Sequence, residues 1–482
     1  MAICIQNQLN CQGIGGEIKM LKKMLCAVLS ITVILSAFAG CSQSANGTAP
    51  SAASEPVSRE ESTAPTDTST EPIVLKFWGG VPEERGPADV VARFNEEYKD
   101  KGISVQYERF VNDDSGNLKL NTALLSGDDV DLYMSYSVPA YVKRVESGMA
   151  TDLTPYIERD GFDMDANFGS MANAYTVDGK AYCMPTYSYK YCFMINKDMF
   201  DEAGIEIPTN WTLDEFREVC KKLTVGEGAD KRYGAFISTD SQKTFPALLA
   251  GTKLGGDYFF RDGGKESAFD DPAYETALST LCDMMLVDGT LVPHTDIVTE
   301  KLSAINLFVE GKVAIIDAYW SIRDLRDLET YPHDFVTAFV PMPTVEEMKR
   351  EDVSFAGGFM DYLSINSKSE HQEAAWEFIK WYTTEGILPM VPHGRIPAST
   401  KIDSNLVAES FSAGVEEYFD LESFKDQLLV TENHYQLTSI TDNLSEVTQI
   451  ASEEFEFALV GSKTPQDALA SAKTRADEIL SK

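Results

Sequence analysis

The sequence predicts an α/β protein built as two lobes, and two observations carry that reading. Apolar strand-like runs alternate with segments of helical periodicity along the chain, the pattern of sheets flanked by helices. About 410 residues follow the last low-complexity stretch, more than one hydrophobic core usually supports.

The first elements are a targeting segment and a linker. Lys22 and Lys23 open a stretch from Met20 that continues as the apolar run Leu25 to Gly40 and ends at Cys41. That run has signal-peptide length and is short for a membrane span. The small residues Ala39 and Gly40 stand just before Cys41, as a lipoprotein signal peptidase requires, with Phe38 where Leu is usual. Cys41 is therefore expected to become the lipidated first residue of a secreted chain, held at a membrane by lipid and not by a spanning helix. An ordinary secretory signal cleaved nearby is the alternative. Residues 1–19 are expected to precede the natural start at Met20. From Ser42 to Glu71, 20 of 30 residues are Ser, Thr, Ala or Pro, too few apolar groups to offset the entropy of ordering. The segment reads as a disordered tether, reaching on the order of 100 Å if extended at about 3.3 Å per residue.

Globular composition begins at Ile73. Ile73 to Trp78 reads as a strand ending at Gly79-Gly80, and a helix from Pro87 carries Val90, Val91, Phe94 and Tyr98 inward. Ile103 to Tyr107 is the next strand, Leu118 to Leu125 a helix, and Val130 to Met134 a strand running into Ser135-Tyr136-Ser137. This β-α-β-α-β order is half of a doubly wound sheet, whose ligands bind beyond the carboxyl ends of the strands. Trp78 and Tyr136 stand at two such ends. Ala181 to Pro185 and Tyr191 to Asn196 are strand-like, and between them Tyr187, Tyr189 and Tyr191 alternate onto one face. Thr212 and Glu215 form a capping box for a helix with Leu213, Phe216, Val219, Cys220 and Leu223 as its apolar stripe. Gly311 to Trp320 reads as a buried strand ending in two aromatics, and Phe355 to Asn366 as a strand entered through Gly357-Gly358. Ser369 and Gln372 are expected to cap the helix carrying Ala374, Ala375, Phe378 and Ile379. Thr464-Pro465 opens the last helix.

Charge and motifs exclude several functions. Beyond Cys41 the chain has 38 basic and 75 acidic residues, which argues against nucleic acid or anionic lipid as the main ligand. Cys183, Cys192, Cys220 and Cys282 match no zinc spacing; buried free thiols are the expectation, a Cys183–Cys192 bond the alternative. The five histidines are scattered without ligand spacing. Asp163-x-Asp165-x-Asn167 resembles the start of a calcium loop, but Phe168 and Ala174 occupy the glycine and glutamate positions. No phosphate-binding loop, nucleophile elbow or zinc-protease motif occurs. No cofactor or metal is expected, and the chain reads as a binder, not an enzyme.

Several blocks together resemble the family 1 extracellular solute-binding proteins, the maltose-binding-protein-like receptors of carbohydrate ABC importers. They are Leu75 to Trp78 with Phe94 to Tyr98; Leu125 to Leu132; Asp178 to Pro185 with Met194 to Asp198 and Ile207 to Thr212; Phe308 to Ala314 with Tyr319-Trp320; and Gly357-Gly358 through Ala374 to Ile379 to Arg395-Ile-Pro-Ala398. The resemblance implies a two-lobe periplasmic-binding-protein fold, each lobe a doubly wound sheet flanked by helices, hinged around a ligand cleft. Residues 1–41 would be the signal, 42–71 the tether, 72–184 with 357–400 the N-terminal lobe, and 185–356 with 401–482 the C-terminal lobe. Hinge crossings are expected near Pro185, near Gly357-Gly358 and after Ala398.

By position, the resemblance implies ligand contacts from Trp78, Gly79 and Tyr136 in the first lobe. Tyr187, Tyr189, Asp240, Gln242 and Trp320 would follow around the first crossing and in the second lobe, with Gly357, Gly358 and Arg395 at the later crossings. A sugar suits such a set, because flat aromatics cover its apolar face while polar groups bond its hydroxyl rim. Each aromatic has a competing role as a core residue, and each glycine as a turn. The partners implied are a carbohydrate and the permease subunits of an ABC transporter. The receptor would be a monomer outside the cytoplasm, attached to the membrane only through the lipid. The same fold with a polyamine, glycerol phosphate derivative or peptide as cargo is the first alternative, and a tethered glycosidase the second.

Overall fold

The structure is a computed structural model that describes residues 72–482 apart from 128, 318, 430–433 and 441, and apart from the side chains of 229, 319 and 320. The signal, Cys41 and the tether lie outside the described residues.

Two mixed sheets organise the chain. The first contains β1 (Ile73–Gly79), β2 (Ile103–Arg109), β3 (Leu132–Ser135), β4 (Met184–Lys190), β11 (Gly357–Ile365) and β12 (Ile396–Pro397), in the order β12-β4-β11-β3-β1-β2. The second contains β5 (Cys192–Asn196), β6 (Tyr233–Phe236), β9 (Val313–Ile316) and β10 (Thr337–Pro341), in the order β10-β5-β9-β6. A separate ribbon pairs β7 (Phe260–Arg261) with β8 (Glu266–Ser267). In the first sheet β1 runs parallel to β2 and β3, whereas β11 is antiparallel to β3 and β4.

The apolar alternation of β1 decides which helices cover which face. Leu75 and Phe77 point into a core built with Phe94, Phe378 and Trp381, from the helices Pro87–Glu97 and Gln372–Trp381. Trp78 points the other way, into a smaller cluster with Phe110, Leu120, Leu124 and Tyr133 under the helix Asp114–Ser126. Arg144, 1 % exposed, braces that side: its guanidinium donates to Ser135 Oγ at 2.7 Å and to Asn121 and Asn117. The second sheet packs Phe193, Phe216, Phe245 and Leu281 into one core, and Met194, Phe236, Phe308 and Phe339 into another.

The chain leaves the first sheet at Tyr191, not at Pro185. Residues 185–190 stay in β4, paired with β11 from Lys190↔Gly357 to Pro185↔Tyr362, so all but the last of the alternating tyrosines belong to the first sheet. β11 re-enters that sheet at Gly357. After β12 the helix Ser404–Ser412 packs Val407 and Phe411 against the second sheet's Phe339 and Met194.

Local caps follow the sequence in part. Thr212 and Glu215 make the full capping box of Leu213–Leu223, and Thr464 caps Pro465–Leu480. Ser369 and Gln372 do not cap their helix: His371 holds the cap position, while Ser369 bonds Asp131 and Gln372 bonds Ser367 O. Asp163 caps the helix Met164–Phe168 by accepting from Ala166 N at 2.8 Å. Tyr319 and Trp320 lie in the short helix Tyr319–Arg326, because β9 ends at Ile316.

Candidate functional site

Residues just past the ends of β1 and β3 meet residues inside β4 and β11 in one polar group. Tyr136 follows β3, and its hydroxyl accepts from the Gly80 amide at 2.6 Å. Tyr107 on β2 donates to Val81 O at 2.7 Å and meets Phe77 edge-on. These contacts explain the two glycines: a Cβ on Gly79 would lie 2.5 Å from the Tyr107 hydroxyl, and one on Gly80 would lie 2.8 Å from the Tyr136 ring.

The centre of the group is an ion pair. Arg395, just before β12, donates from Nε to Asp361 Oδ2 at 2.9 Å. Asp361 is 5 % exposed and has φ +56 within β11, a left-handed backbone that is strained for a non-glycine in a strand. Its carbonyl accepts from Thr186 Oγ1 at 2.8 Å. The Arg395 guanidinium lies 6.0 Å from the centre of the Tyr187 ring. Burial pushes the Asp361 carboxyl up, and Arg395 opposes that rise. Burial is the largest influence on Arg395 and lowers it, but the charge and hydrogen bond of Asp361, together with Tyr136 and Tyr187, outweigh it and keep the guanidinium protonated. Burial also raises the phenols of Tyr136 and Tyr187, with the negative charge of Asp361 adding to it.

A second aromatic group surrounds Tyr189. Burial pushes its hydroxyl up to about 12, with Tyr175 and Tyr435 adding to the rise, and Tyr258 of the second lobe feels Tyr189 in turn. Gly358 sits here with φ +148, and a Cβ on it would lie 3.1 Å from the Tyr175 hydroxyl. That hydroxyl accepts from Phe359 N at 3.1 Å. A Cβ on Gly357 would lie 2.5 Å from Tyr189 O.

The structure thus brings Gly79, Tyr136, Tyr187 and Arg395 together, and groups Tyr189 with Gly357 and Gly358. It places three of the other sequence-predicted contacts elsewhere or on a different task. Trp78 is 7 % exposed on the opposite face of β1, with Lys119 Nζ 4.6 Å from its ring centre. Gln242 is 2 % exposed and both ends of its amide are occupied: Nε2 donates to Ile237 O at 2.8 Å and Oε1 meets His294 Nδ1 at 2.6 Å. It is a core residue, because helix periodicity turns it inward from Thr239–Leu254. Asp240 is exposed in the first turn of that helix. The Trp320 side chain lies outside the described residues.

Sequence reasoning missed Asp361 and Asp317. Asp317 is fully buried at the end of β9, accepting from Ser238 N at 3.0 Å, Ser238 Oγ at 3.1 Å and the Tyr191 hydroxyl at 3.1 Å. It therefore links the crossing residue to the start of the helix bearing Asp240. The available signal was the same in both: one carboxylate inside an otherwise apolar strand, which burial tolerates only with partners. Among the described residues no cluster of His, Cys, Asp and Glu is arranged to hold a metal, and no helix is long and apolar enough to cross a membrane.

The chain crosses between two helix-flanked sheets more than once, and polar and aromatic groups gather on the first. Residues 82–387 match the bacterial extracellular solute-binding proteins, and the chain belongs to that family of receptors. It is 25 % identical over 267 residues to a maltotriose-binding protein of Pyrococcus abyssi, covering 55 % of this chain and 53 % of that protein. It is 28 % identical over 182 residues to an arabinooligosaccharide-binding protein of Halalkalibacterium halodurans, covering 36 % of this chain and 38 % of that protein. The chain thus spans about half or less of the length of these two curated relatives. Among solved structures, a sugar transporter protein of Rhizobium etli in an open conformation superposes with a TM-score of 0.69 at 20 % identity, covering 84 % of this chain and all of that one. A substrate-binding protein of Listeria monocytogenes in complex with cycloalternan gives 0.63 at 20 % identity, over 85 % of this chain and 99 % of that one. At such identities the likeness establishes the fold: two helix-flanked sheets of the periplasmic-binding-protein type.

Proposed function

We propose that this chain is the receptor of a carbohydrate ABC importer, capturing a sugar or oligosaccharide by hinge closure and passing it to membrane permease subunits. The observation that carries this is the convergence of Tyr136, just past the end of β3, with Tyr187 inside β4 and the Arg395–Asp361 pair of β11 and the start of β12. Tyrosine rings supply apolar faces, and the ion pair supplies donors and acceptors for hydroxyls. The sugars in the names of the two curated relatives and the cycloalternan of the Listeria structure support the same cargo class. Closure follows if the sugar bonds both lobes, since only contacts absent from the open form shift the balance. Tyr189, one residue before the last paired position of β4, would contribute together with Gly357 and Gly358. The lobes comprise residues 72–190 with 357–397, and 192–341 with the C-terminal helices. Cys41 is proposed as the lipid anchor, with residues 42–71 as the tether.

The test is a thermal-shift screen of Glu71–Lys482, a compact unit by itself, against sugars, polyols, polyamines, phosphodiesters and peptides. A ligand at 100 times its dissociation constant adds about 2.7 kcal/mol of apparent stability. An upward shift with one sugar class, without hydrolysis, is the expected result. A shift only with polyamines, phosphodiesters or peptides would keep the receptor and overturn its cargo.

A further inference from the structure

Arg395 and Asp361 do not use up each other's bonding capacity. Their one hydrogen bond runs from Nε to Oδ2. The terminal Nη groups of Arg395 and the Oδ1 of Asp361 have no hydrogen-bond partner among the described residues, and the arginine side chain remains 20 % exposed. None of these atoms is among the buried polar atoms that lack a partner, so they reach solvent and are open to a ligand. The backbone points the same way: β11 holds Asp361 at φ +56 in mid-strand, and Asp361↔Thr186 is missing from an otherwise continuous register with β4. Strain of this kind persists where surrounding structure holds a side chain in a required place. The ring of Tyr187 flanks the guanidinium, and Tyr136 stands on the adjoining strand.

We infer that Asp361 is a ligand-contacting residue that also converts Arg395 from a free cation into half of a neutral donor–acceptor pair, so that the site accepts an uncharged polyhydroxy ligand and rejects charged ones. This rests on the reading of the Tyr136–Tyr187–Arg395 group as the sugar site. The Nη groups donate to one hydroxyl and Oδ1 accepts from its neighbour, the demand a vicinal diol makes. A uronate or sugar phosphate would gain Arg395 but bring its charge against the Asp361 carboxylate. A polyamine would gain Asp361 but meet the guanidinium. Each charged class therefore meets one repulsive partner at close range, a rejection built from unlike charges and not from shape.

The experiment measures affinities of Glu71–Lys482 for maltotriose, arabinotriose, glucose, mannitol, glucuronate and spermidine by calorimetry, in the wild type and in Asp361→Asn, Arg395→Gln and Tyr187→Ala. Asparagine tolerates the left-handed backbone; should Asp361→Asn not fold, Asp361→Gly keeps the φ without strain and takes its place. The wild type is expected to bind a neutral member and neither glucuronate nor spermidine. Asp361→Asn is expected to weaken the neutral sugar by about tenfold and strengthen glucuronate by a similar factor, a reversal of charge preference that lost packing would not produce. If Arg395→Gln and Tyr187→Ala weaken the sugar but Asp361→Asn leaves the neutral-to-anion ratio unchanged, the inference falls and the site stands. If Arg395→Gln and Tyr187→Ala leave affinity intact, or if nothing in the panel binds the wild type, the site reading falls and takes the inference with it.

Discussion

The Gly80 amide and the Tyr136 hydroxyl are joined across 2.6 Å, so the turn after β1 and the end of β3 are held as one surface. Tyr136→Phe removes the acceptor and leaves a half-buried amide unpaired. A loss of ~1 kcal/mol in stability is expected, with sugar affinity down by about fivefold. Gly80→Ala, whose Cβ would lie 2.8 Å from the same ring, is expected to lower affinity further while the first sheet stays folded. Calorimetry with the sugar found by the screen, beside far-ultraviolet circular dichroism, checks both.

Thr212→Ala separates stability from binding. It deletes the capping box of Leu213–Leu223, far along the chain from the strand ends that gather Tyr136 and Arg395. Denaturant unfolding should show a loss of about 1 kcal/mol, and the sugar's dissociation constant should not move.

Acid should weaken the second lobe through His294. Its ring is 4 % exposed, bonded to Gln242 and 3.4 Å from Glu456, with Lys243 beside that carboxylate. Burial lowers its pKa; Glu456 opposes and Lys243 reinforces the shift. The unfolded chain therefore takes up a proton first, so this contribution to stability is complete above about pH 6.5 and is lost as pH falls below it. The melting temperature of His294→Gln should fall less than that of the wild type between pH 7 and pH 5.

The four cysteines of Glu71–Lys482 are buried as free thiols, and burial pushes Cys183, Cys192 and Cys282 up to about 12 and raises Cys220 well above the usual thiol range. A thiol reagent at pH 8 should find none of them quickly in the native protein and all of them in denaturant. Two fewer in denaturant would mean that Cys183 and Cys192 are bonded.

Cys41→Ser in the full chain should release the receptor from the membrane fraction and abolish labelling by a fatty-acid analogue. Retention of the variant in the membrane fraction would overturn the lipid anchor.

Most of the fold was legible because periodicity speaks for each segment alone. The Thr212 cap and the entry of β11 through Gly357 both follow from local pattern. Of the residues that the resemblance aligned, Tyr136, Tyr187 and Arg395 lie together in the fold, and they are the ones we propose as the site. Asp361 was hidden because its role depends on β11 lying between β4 and β3, which no local signal encodes. Gln242 misled for the complementary reason: a polar residue near a strand end looks available until a buried histidine is found bonded to it. Strand alternation sends Trp78 under the helix Asp114–Ser126, while Gly79 faces Tyr107.

The sheet order also governs when the first lobe is able to fold. β11 sits between β3 and β4, yet the whole second sheet, β5 to β10, precedes it in the chain. An extracellular protein that threads through a membrane from its N-terminus therefore delivers β1 to β4 long before the strand that joins them. Until Gly357–Ile365 emerges, β3 and β4 present open edges and the lobe lacks its central pairing, so compact native structure waits on the most distant contacts. The interleaving of the two sheets thus leaves the first sheet to be completed last, because β11 and β12 follow every strand of the second.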